Sequence, residues 1–414
     1  MNIHFKDNMP FFEGVCINDI TRSYATPLYL YSQKEITNTY NKLKNNLPAE
    51  IFFSVKANSN QAILTLMKNC GAGADVVSFG ELQRSLEAGF DTNKIIFEGV
   101  GKSKKDIEYA IQNNIRLINV ESINELFLID KIGKDLNKTI NIGVRLNPDI
   151  DGKTLDKIST GKKMDKFGIS INLLSEIILL VKSLTHVNLK GISCHIGSQI
   201  HEISIFQKVF TTMKEAASIS LSNGIKLEYL DLGGGFGVNY EKDLNDLNIT
   251  DLGKLITSVF NNVPYKISFE PGRYLVAKAG IIITKILTSK ENGGINFLIT
   301  DAGMQTLLRP AMYGALHRVK ALNDLDSKNM HYTVAGPICE SSDIIGTEII
   351  LPKQKADNYL AILDAGAYGA SMASNYNSRG IASEILVHEN NFFVIRQEEK
   401  ISTIIKRDLI PNWL

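Results

Sequence analysis

The chain has 414 residues, of which 44% are hydrophobic, and its formal net charge at pH 7 is +1. This length is sufficient for two domains with sizeable cores. The balanced charge and the lack of a basic block argue against nucleic acid and against an anionic membrane surface as partners. The longest apolar runs, near 177–181 and 281–283, are too short to cross a membrane.

The N-terminus and the cysteines predict a cytoplasmic location. Residues 1–10 contain no apolar core segment, so they do not resemble a secretory signal. Cys16, Cys70, Cys194 and Cys339 are dispersed and form no Cys-x-x-Cys pair, which disfavours a structural zinc site. Two disulfides are the alternative, but a chain with large cores does not need them. We therefore expect reduced thiols and no metal.

The first half of the chain predicts a barrel. Apolar runs alternate with segments whose apolar residues recur every three or four positions, which is typical of parallel strands and crossover helices. The eight strand-like runs are 51–55, 74–77, 94–97, 116–120, 141–146, 189–195, 227–232 and 266–269. The helical patterns include 33–45, 61–68, 81–87, 105–112, 121–132, 173–184 and 206–221. Eight such units predict a closed (β/α)8 barrel, with an open doubly wound sheet as the alternative.

The pattern changes after Arg273, where long helical patterns become scarce. Strand-like runs at 275–288, 295–300, 332–335, 347–351, 359–363 and 392–395 are separated by Gly, Asn, Asp and Pro. The first thirty residues lack a helical pattern and are expected to join these strands. We predict an α/β protein with a (β/α)8 TIM-type barrel at 32–275. A second, mostly antiparallel β-domain is then built from both chain termini, 1–31 and 276–414.

Chemically active side chains follow the predicted barrel strands at their carboxyl ends, where barrels carry their active sites. The residues at these ends are Lys56, Asp75, His195, Ser198, Gly233, Gly234, Gly235, Glu270, Pro271, Gly272 and Arg273. Burial lowers the pKa of a lysine, and a neutral amine can form a Schiff base with an aldehyde. A lysine that simply reaches solvent is the ordinary alternative.

The loops after the seventh and eighth strands predict an anion site. Three successive glycines at 233–235 can present backbone N–H groups to an anion, and Arg273 adds a permanent positive charge. Taken alone, a glycine triplet is more often a flexible turn. A lysine, a histidine, an anion cradle and a buried carboxylate together indicate pyridoxal phosphate. Lys56 would hold its aldehyde, Glu270 would pair with its ring nitrogen, and His195 could stack on its ring.

Two other motifs are disfavoured. Residues 99–103 contain Gly-Lys-Ser, but a nucleotide-binding loop requires a glycine where this chain has Ile96. His195 and His201 lack an evident third metal ligand.

The predicted β-domain has three polar patches of its own. They contain Arg309 and Tyr313, Cys339 and Glu340, and Tyr368. A small buried hydrophobe is the alternative for the thiol, and simple packing is the alternative for Tyr368.

With these motifs in this order, the chain resembles the diaminopimelate decarboxylases of the alanine-racemase-like barrel class of pyridoxal-phosphate enzymes. The resemblance runs from Thr26-Pro27-Leu28-Tyr29 to Tyr376-Asn377-Ser378-Arg379. It implies decarboxylation of meso-2,6-diaminopimelate to L-lysine and CO2, the last step of lysine biosynthesis. It also implies a homodimer with shared active sites.

The resemblance implies a role for each matched residue. Lys56 would carry the cofactor, Glu270 would engage the ring nitrogen, and His195 would stack on the ring. The residues expected around the phosphate are Ser198, Gly235, Gly272, Arg273 and Tyr368. The carboxylate contacts of the substrate would be Arg273, Arg309 and Tyr313. Cys339 would deliver the proton that replaces CO2, and Glu340 would meet the distal amine, both from the other subunit.

Related activities remain as alternatives. Ornithine and arginine decarboxylases share the barrel motifs, and an amino-acid racemase or a non-catalytic pyridoxal-phosphate-binding homologue is also compatible with parts of the pattern. Cys339-Glu340 followed by Ser341 resembles the diaminopimelate form, whereas ornithine enzymes tend to carry an aspartate after the cysteine.

Overall fold

The structure is a computed structural model that describes residues 3–152, 160–162, 164–240 and 245–414. It contains two compact units. The barrel unit comprises residues 37–239 and 245–275, and the β unit comprises residues 1–36, 240–244 and 276–414. The domain boundaries predicted from the sequence stay predictions. No helix among the described residues is long and apolar enough to span a membrane.

The N-terminal segment is built from short elements. They are β1 (His4–Lys6), β2 (Met9–Phe12), β3 (Val15–Cys16), α1 (Ile17–Ser23) and β4 (Leu28–Ser32). The first three strands form a small antiparallel sheet of their own.

Strands and helices then alternate through the barrel unit. The elements are α2 (Gln33–Asn46), β5 (Glu50–Ser54), α3 (Gln61–Cys70), β6 (Gly73–Val76), α4 (Phe79–Glu87), β7 (Ile95–Phe97), α5 (Lys104–Gln112), β8 (Leu117–Val120), α6 (Ile123–Leu136), β9 (Ile140–Asn147), β10 (Ile169–Ser170), α7 (Leu174–Ser183), β11 (Val187–Ser193), α8 (Ile203–Ser222), β12 (Tyr229–Asp231), α9 (Ile249–Val259), β13 (Lys266–Phe269) and α10 (Arg273–Val276).

Eight of these strands close a parallel barrel, which confirms the predicted fold and excludes the open sheet. The strand order is β5-β6-β7-β8-β9-β11-β12-β13, and β13 pairs with β5 to complete the circle. The short β10 pairs outside the circle with β9. Every residue of β6, β7 and β8 is buried, as expected for parallel strands covered on both faces.

Side-chain caps fix where several barrel helices begin. Ser78, Ser103 and Ser122 precede α4, α5 and α6, and each hydroxyl accepts a hydrogen bond from the backbone N–H three residues later. These caps end the preceding loops at defined residues, so each loop leaves its strand end in a fixed direction.

The β unit continues from the barrel to the C-terminus. Its elements are β14 (Gly280–Asn292), β15 (Ile295–Thr300), α11 (Arg309–Tyr313), β16 (Val319–Ala321), β17 (Asn329–Ala335), β18 (Ile344–Pro352), β19 (Tyr359–Ile362), β20 (Ser383–His388), β21 (Asn391–Arg396) and α12 (Ile401–Ile405).

The large sheet of the β unit has the strand order β18-β17-β15-β14-β4-β20-β21, with β19 pairing to β14 and β16. All its pairs are antiparallel except β15 with β17 and β20 with β4. Strand β4 therefore brings the N-terminal segment into a sheet made by the C-terminal residues. A buried core that includes Phe12, Ile20, Leu28, Ile283 and Ile385 joins both chain ends, as the sequence predicted.

Two local predictions were wrong. The first thirty residues do contain a helix, α1, whose Ile17 and Ile20 are buried. It has too few residues for a periodic signal and depends on packing for its stability. The strand expected from residue 275 begins instead at Gly280, because Leu275 lies in the short helix α10. Strands β16 and β20 were not predicted.

Candidate active site

Lys56 and Asp75 meet at the carboxyl ends of β5 and β6. Lys56 lies in a 3-10 turn directly after β5, and its Nζ donates to Asp75 Oδ2 at 3.2 Å. The Lys56 side chain is 40% exposed, whereas the Asp75 side chain is fully buried. The lysine is thus accessible and ion-paired, whereas the sequence led us to expect a buried amine. Ser54 Oγ lies 2.6 Å from Asp75 Oδ2 and 2.9 Å from the Glu270 carbonyl oxygen, which ties three strand ends together.

Glu270 follows β13 and supplies a buried carboxyl group to the same end of the barrel. Burial raises its pKa well above the ordinary value, and nearby Asp231 and Asp75 raise it further. Its Oε1 is buried and has no hydrogen-bond partner among the described residues. A cationic N–H donor placed at this atom would favour the ionised carboxylate.

His195 is held in one neutral form. The backbone N–H of Gly234 donates to His195 Nδ1 at 3.1 Å, so this nitrogen is an acceptor and the proton resides on Nε2. Burial lowers the pKa of His195 well below its ordinary value, and the positive charges of Arg145 and Lys56 lower it further. A neutral imidazole can pack flat against an aromatic ring without adding charge.

The glycine triplet forms a cradle that tolerates no side chains. Gly233 and Gly235 have φ of +67° and +81°, a region that favours glycine. A Cβ on Gly234 would lie 2.3 Å from the Glu270 carbonyl oxygen, and one on Gly235 would lie 2.1 Å from the Gly197 oxygen. In the same unit, Arg273 Nε donates to Ser198 Oγ at 3.2 Å. The Gly233 N–H donates to Asp231 Oδ1 at 2.7 Å and the Gly234 N–H to His195 Nδ1, so an anion here would meet the backbone at Gly235 and the Arg273 cation.

A charged network inside the barrel was missed by the sequence analysis. Arg145 Nη1 lies 3.0 Å from Glu121 Oε1 and 3.7 Å from Glu98 Oε2, and all three residues are buried. The backbone N–H groups of Gly99 and Gly168 donate to Glu121, each at 2.9 Å. A charged residue inside the apolar run of β9 was the available signal. Arg145 also contributes to keeping His195 neutral.

The Gly-Lys-Ser segment has a structural role. The Lys102 side chain is buried, with its Nζ 2.8 Å from Glu125 Oε1 and 2.6 Å from the Gly99 carbonyl oxygen. Ser103 forms a capping box with Asp106 at the start of α5. The lysine and serine that a nucleotide would need are therefore engaged in packing and capping. The described residues also contain no His, Cys, Asp and Glu cluster suited to a metal.

The predicted residues of the β unit differ in exposure. Arg309 is buried at the start of α11, and Tyr313 is half-buried at its end. Cys339 and Glu340 are exposed in a loop whose shape is fixed by Asp343, which accepts from the backbone N–H groups of Met304 and Ile338.

One asparagine and one tyrosine side chain contact the loop that carries Cys339. Asn377 Oδ1 accepts from the Cys339 N–H at 3.4 Å, and the Tyr376 hydroxyl lies 3.5 Å from Glu340 Oε1. Tyr368 is half-buried and has φ of +56°, which is unusual for a residue with a side chain. The site roles of all these residues stay predictions.

A closed barrel with a lysine, a neutral imidazole, a buried carboxyl group and an anion cradle at its strand ends defines a barrel-type pyridoxal-dependent enzyme. Residues 33–277 match the family described as "Pyridoxal-dependent decarboxylase, pyridoxal binding domain". Diaminopimelate decarboxylase from Aquifex aeolicus is 36% identical over 98% of this chain and 97% of that protein. The Haemophilus influenzae protein of the same name is 38% identical over 97% of each chain.

Solved structures agree with these sequence relatives. Diaminopimelate decarboxylase from M. jannaschii, in co-complex with L-lysine, matches with a TM-score of 0.94 and 36% identity over 100% of this chain and 99% of that one. The Helicobacter pylori structure, also complexed with L-lysine, has a TM-score of 0.91 and 36% identity over 94% of this chain and 98% of that one. The chain belongs to the diaminopimelate decarboxylase family.

Proposed function

We propose that this protein is a pyridoxal-phosphate-dependent carboxy-lyase that converts meso-2,6-diaminopimelate to L-lysine and CO2. The observation that carries the proposal is the convergence of Lys56, Glu270 and the glycine cradle at one end of the barrel. It occurs in a chain whose relatives, over nearly full length, are named for this reaction.

The residues of the barrel unit fit the cofactor. Glu270 Oε1, which has no hydrogen-bond partner among the described residues, suits the protonated ring nitrogen, and the tight turn at Gly233–Gly235 with the Arg273 cation would receive the phosphate. Lys56 would join the aldehyde and His195 would lie against the ring. The remaining residues proposed for cofactor binding are Asp75, Ser198, Pro271, Gly272 and Arg273 of the barrel unit and Tyr368 of the β unit. Bound pyridoxal phosphate supplies an electron-accepting ring for the electron pair left when CO2 departs.

Side chains of the protein would orient the substrate and donate the proton that replaces CO2. Asp75 holds Lys56 Nζ in position through their ion pair. Arg273, Arg309 and Tyr313 would bind substrate carboxylates, and a site with such donors disfavours analogues that lack the charged group. The Cys339 thiol would donate its proton to the substrate's α-carbon after CO2 leaves.

We propose a homodimer with shared active sites in the cytoplasm. Exposed Cys339 and Glu340 would meet the distal part of a substrate held by the barrel of a second subunit. All four cysteines are free, which supports a reducing compartment.

The cofactor proposal is tested by the visible spectrum of the purified protein with added pyridoxal phosphate, before and after borohydride treatment. We expect an absorbance band that borohydride bleaches, and peptide mapping should locate the reduced adduct at Lys56. Lys56→Ala should bind pyridoxal phosphate without forming the covalent adduct, and its turnover should fall by at least about a thousandfold. A colourless wild-type protein, or an adduct at another lysine, would contradict the proposal.

The substrate is tested by measuring CO2 release from meso-diaminopimelate, ornithine and arginine under the same conditions. We expect release from diaminopimelate and formation of L-lysine. Faster release from ornithine or arginine would reassign the substrate, and a change of configuration without CO2 would indicate a racemase.

A further inference from the structure

Arg309 is held by two aromatic residues of the β unit. Its Nη1 lies 2.8 Å from His317 Nε2, and the carbon of its guanidinium lies 4.5 Å from the centre of the Tyr240 ring. The rings of Tyr240 and His317 meet edge to face at 5.4 Å. Arg309 and His317 are 5% and 6% exposed, so these contacts are well shielded from water.

The protonation of His317 follows from two of its contacts, one at each ring nitrogen. A guanidinium only donates hydrogen bonds, so His317 Nε2 is the acceptor and carries no proton. His317 Nδ1 lies 2.9 Å from the Leu363 carbonyl oxygen, which only accepts, so Nδ1 carries the proton. The ring is therefore the neutral Nδ1–H form, and its orientation is fixed at both nitrogens.

The backbone carbonyl that orients His317 is itself fixed. The Leu363 N–H donates to the Arg318 carbonyl oxygen at 2.8 Å. Next to this bond, Arg318 forms a two-pronged ion pair with Asp364, with Nε–Oδ2 and Nη2–Oδ1 distances of 2.9 and 3.0 Å. The residues beside His317 and Leu363 are thus joined to each other. The Leu363 carbonyl group that His317 contacts is therefore flanked by a backbone hydrogen bond and by this ion pair.

We infer that His317, supported by Tyr240, is a positioning residue that aims Arg309 at the distal carboxylate of the substrate. This inference deepens the proposed function and rests on it. The acceptor nitrogen and the aromatic ring are neutral groups. They fix the plane of the guanidinium, and neither adds a negative charge of its own. Correct aim matters because a guanidinium binds a carboxylate through two parallel hydrogen bonds.

Two near-isosteric variants test the roles of the two ring nitrogens of His317 separately. The Oε1 of glutamine can occupy the place of Nε2, so His317→Gln keeps an acceptor for Arg309. The amide of asparagine reaches only the place of Nδ1, so His317→Asn keeps a donor to the Leu363 carbonyl and loses the acceptor for Arg309. Both changes are polar and smaller than or similar to histidine, which limits disturbance of the core.

The ligands are chosen to show whether the distal carboxylate is involved. L-Lysine retains one carboxylate of diaminopimelate, and cadaverine retains none. For the holoenzyme of His317→Asn, we expect KM for diaminopimelate and the dissociation constant for L-lysine to rise about tenfold to a hundredfold, with a smaller change in kcat. Cadaverine affinity and the cofactor absorbance should match the wild type. His317→Gln should remain within about threefold of the wild type for all three ligands.

Tyr240→Leu provides a second route to the same result, because it removes the ring that supports the guanidinium. It should weaken the binding of L-lysine more than the binding of cadaverine. The inference is overturned if the affinities for L-lysine and cadaverine fall equally in His317→Asn, or if neither affinity changes. Failure of the proposed function gives a different result, because the wild-type enzyme itself would then not decarboxylate diaminopimelate.

Discussion

Glu81 shows how one partly buried carboxyl group at the barrel end makes stability depend on pH. Its Oε2 accepts a hydrogen bond from the Val77 N–H at 2.9 Å. Burial raises its pKa from 4.5 to about 7, and the negative charge of Asp75 acts in the same direction. Between these two pH values, the carboxyl is protonated in the folded protein and ionised in the unfolded chain. Unfolding then releases a proton, so a rise in pH favours unfolding.

Glu81→Gln should remove this contribution in the cofactor-free protein. The variant should gain stability relative to the wild type as pH rises from about 4.5 to 7, by roughly 1 to 3 kcal/mol in total. Thermal midpoints measured across this range test the prediction. Glu87→Gln is the matched control, since Glu87 lies on the same helix and is exposed. A constant difference between Glu81→Gln and wild type at all pH values would contradict the assignment.

At the scale of single residues, the sequence predicted positions better than contacts. Lys56, Asp75, His195 and Glu270 do follow barrel strands, because parallel strands place their carboxyl ends on one side. The sequence could not show that Lys56 is ion-paired and partly exposed. Nor could it show that Arg145 turns inward to meet two buried glutamates. Both outcomes depend on side-chain directions that arise only when eight strands close.

The turn after β12 depends on a glycine at position 234, where no side chain can be accommodated. Gly234 does not have a positive φ, so an alanine there is acceptable to the backbone itself. Its added Cβ would nevertheless lie 2.3 Å from the Glu270 carbonyl oxygen. Because Ser54 also contacts that oxygen, the collision would displace the strand end that carries Glu270.

Gly234→Ala should weaken pyridoxal-phosphate binding by about tenfold or more, since overpacking of this size shifts backbone atoms. Absorbance titration with the cofactor measures the effect. Gly101→Ala is the matched control, because its added Cβ meets no atom within 4 Å. It also tests the Gly-Lys-Ser segment, which should tolerate the change. Equal effects in the two variants would show that the glycine turn has no special role in binding.

At the scale of elements, the accuracy of the sequence prediction followed the length and periodicity of each segment. The barrel strands were found because each is a compact apolar run between amphipathic helices, as at β9 and α6. Helix α1 was missed because it spans only seven residues. Strand β20 was missed although its residues are mostly buried. Its pairing with β4 joins residues more than 350 apart in the chain, and no local pattern encodes that pairing.

At the scale of the whole molecule, the proposed shared site makes two inactive variants complementary. Lys56 belongs to the barrel unit and Cys339 to the β unit. If each active site takes Lys56 from one subunit and Cys339 from the other, a heterodimer of Lys56→Ala and Cys339→Ala contains one intact site. Cys339→Ala alone should keep its cofactor absorbance and lose most of its turnover.

Mixing the two variants under conditions that exchange subunits should restore about a quarter of wild-type activity. Random pairing makes half of the dimers mixed, and each mixed dimer has one working site of two. Differently tagged chains allow the mixed dimers to be purified and counted. Lys56→Ala mixed with Glu270→Ala is the control and should stay inactive, because both residues belong to the barrel unit. Purified mixed dimers of the first pair that remain inactive would show that Lys56 and Cys339 do not act across subunits.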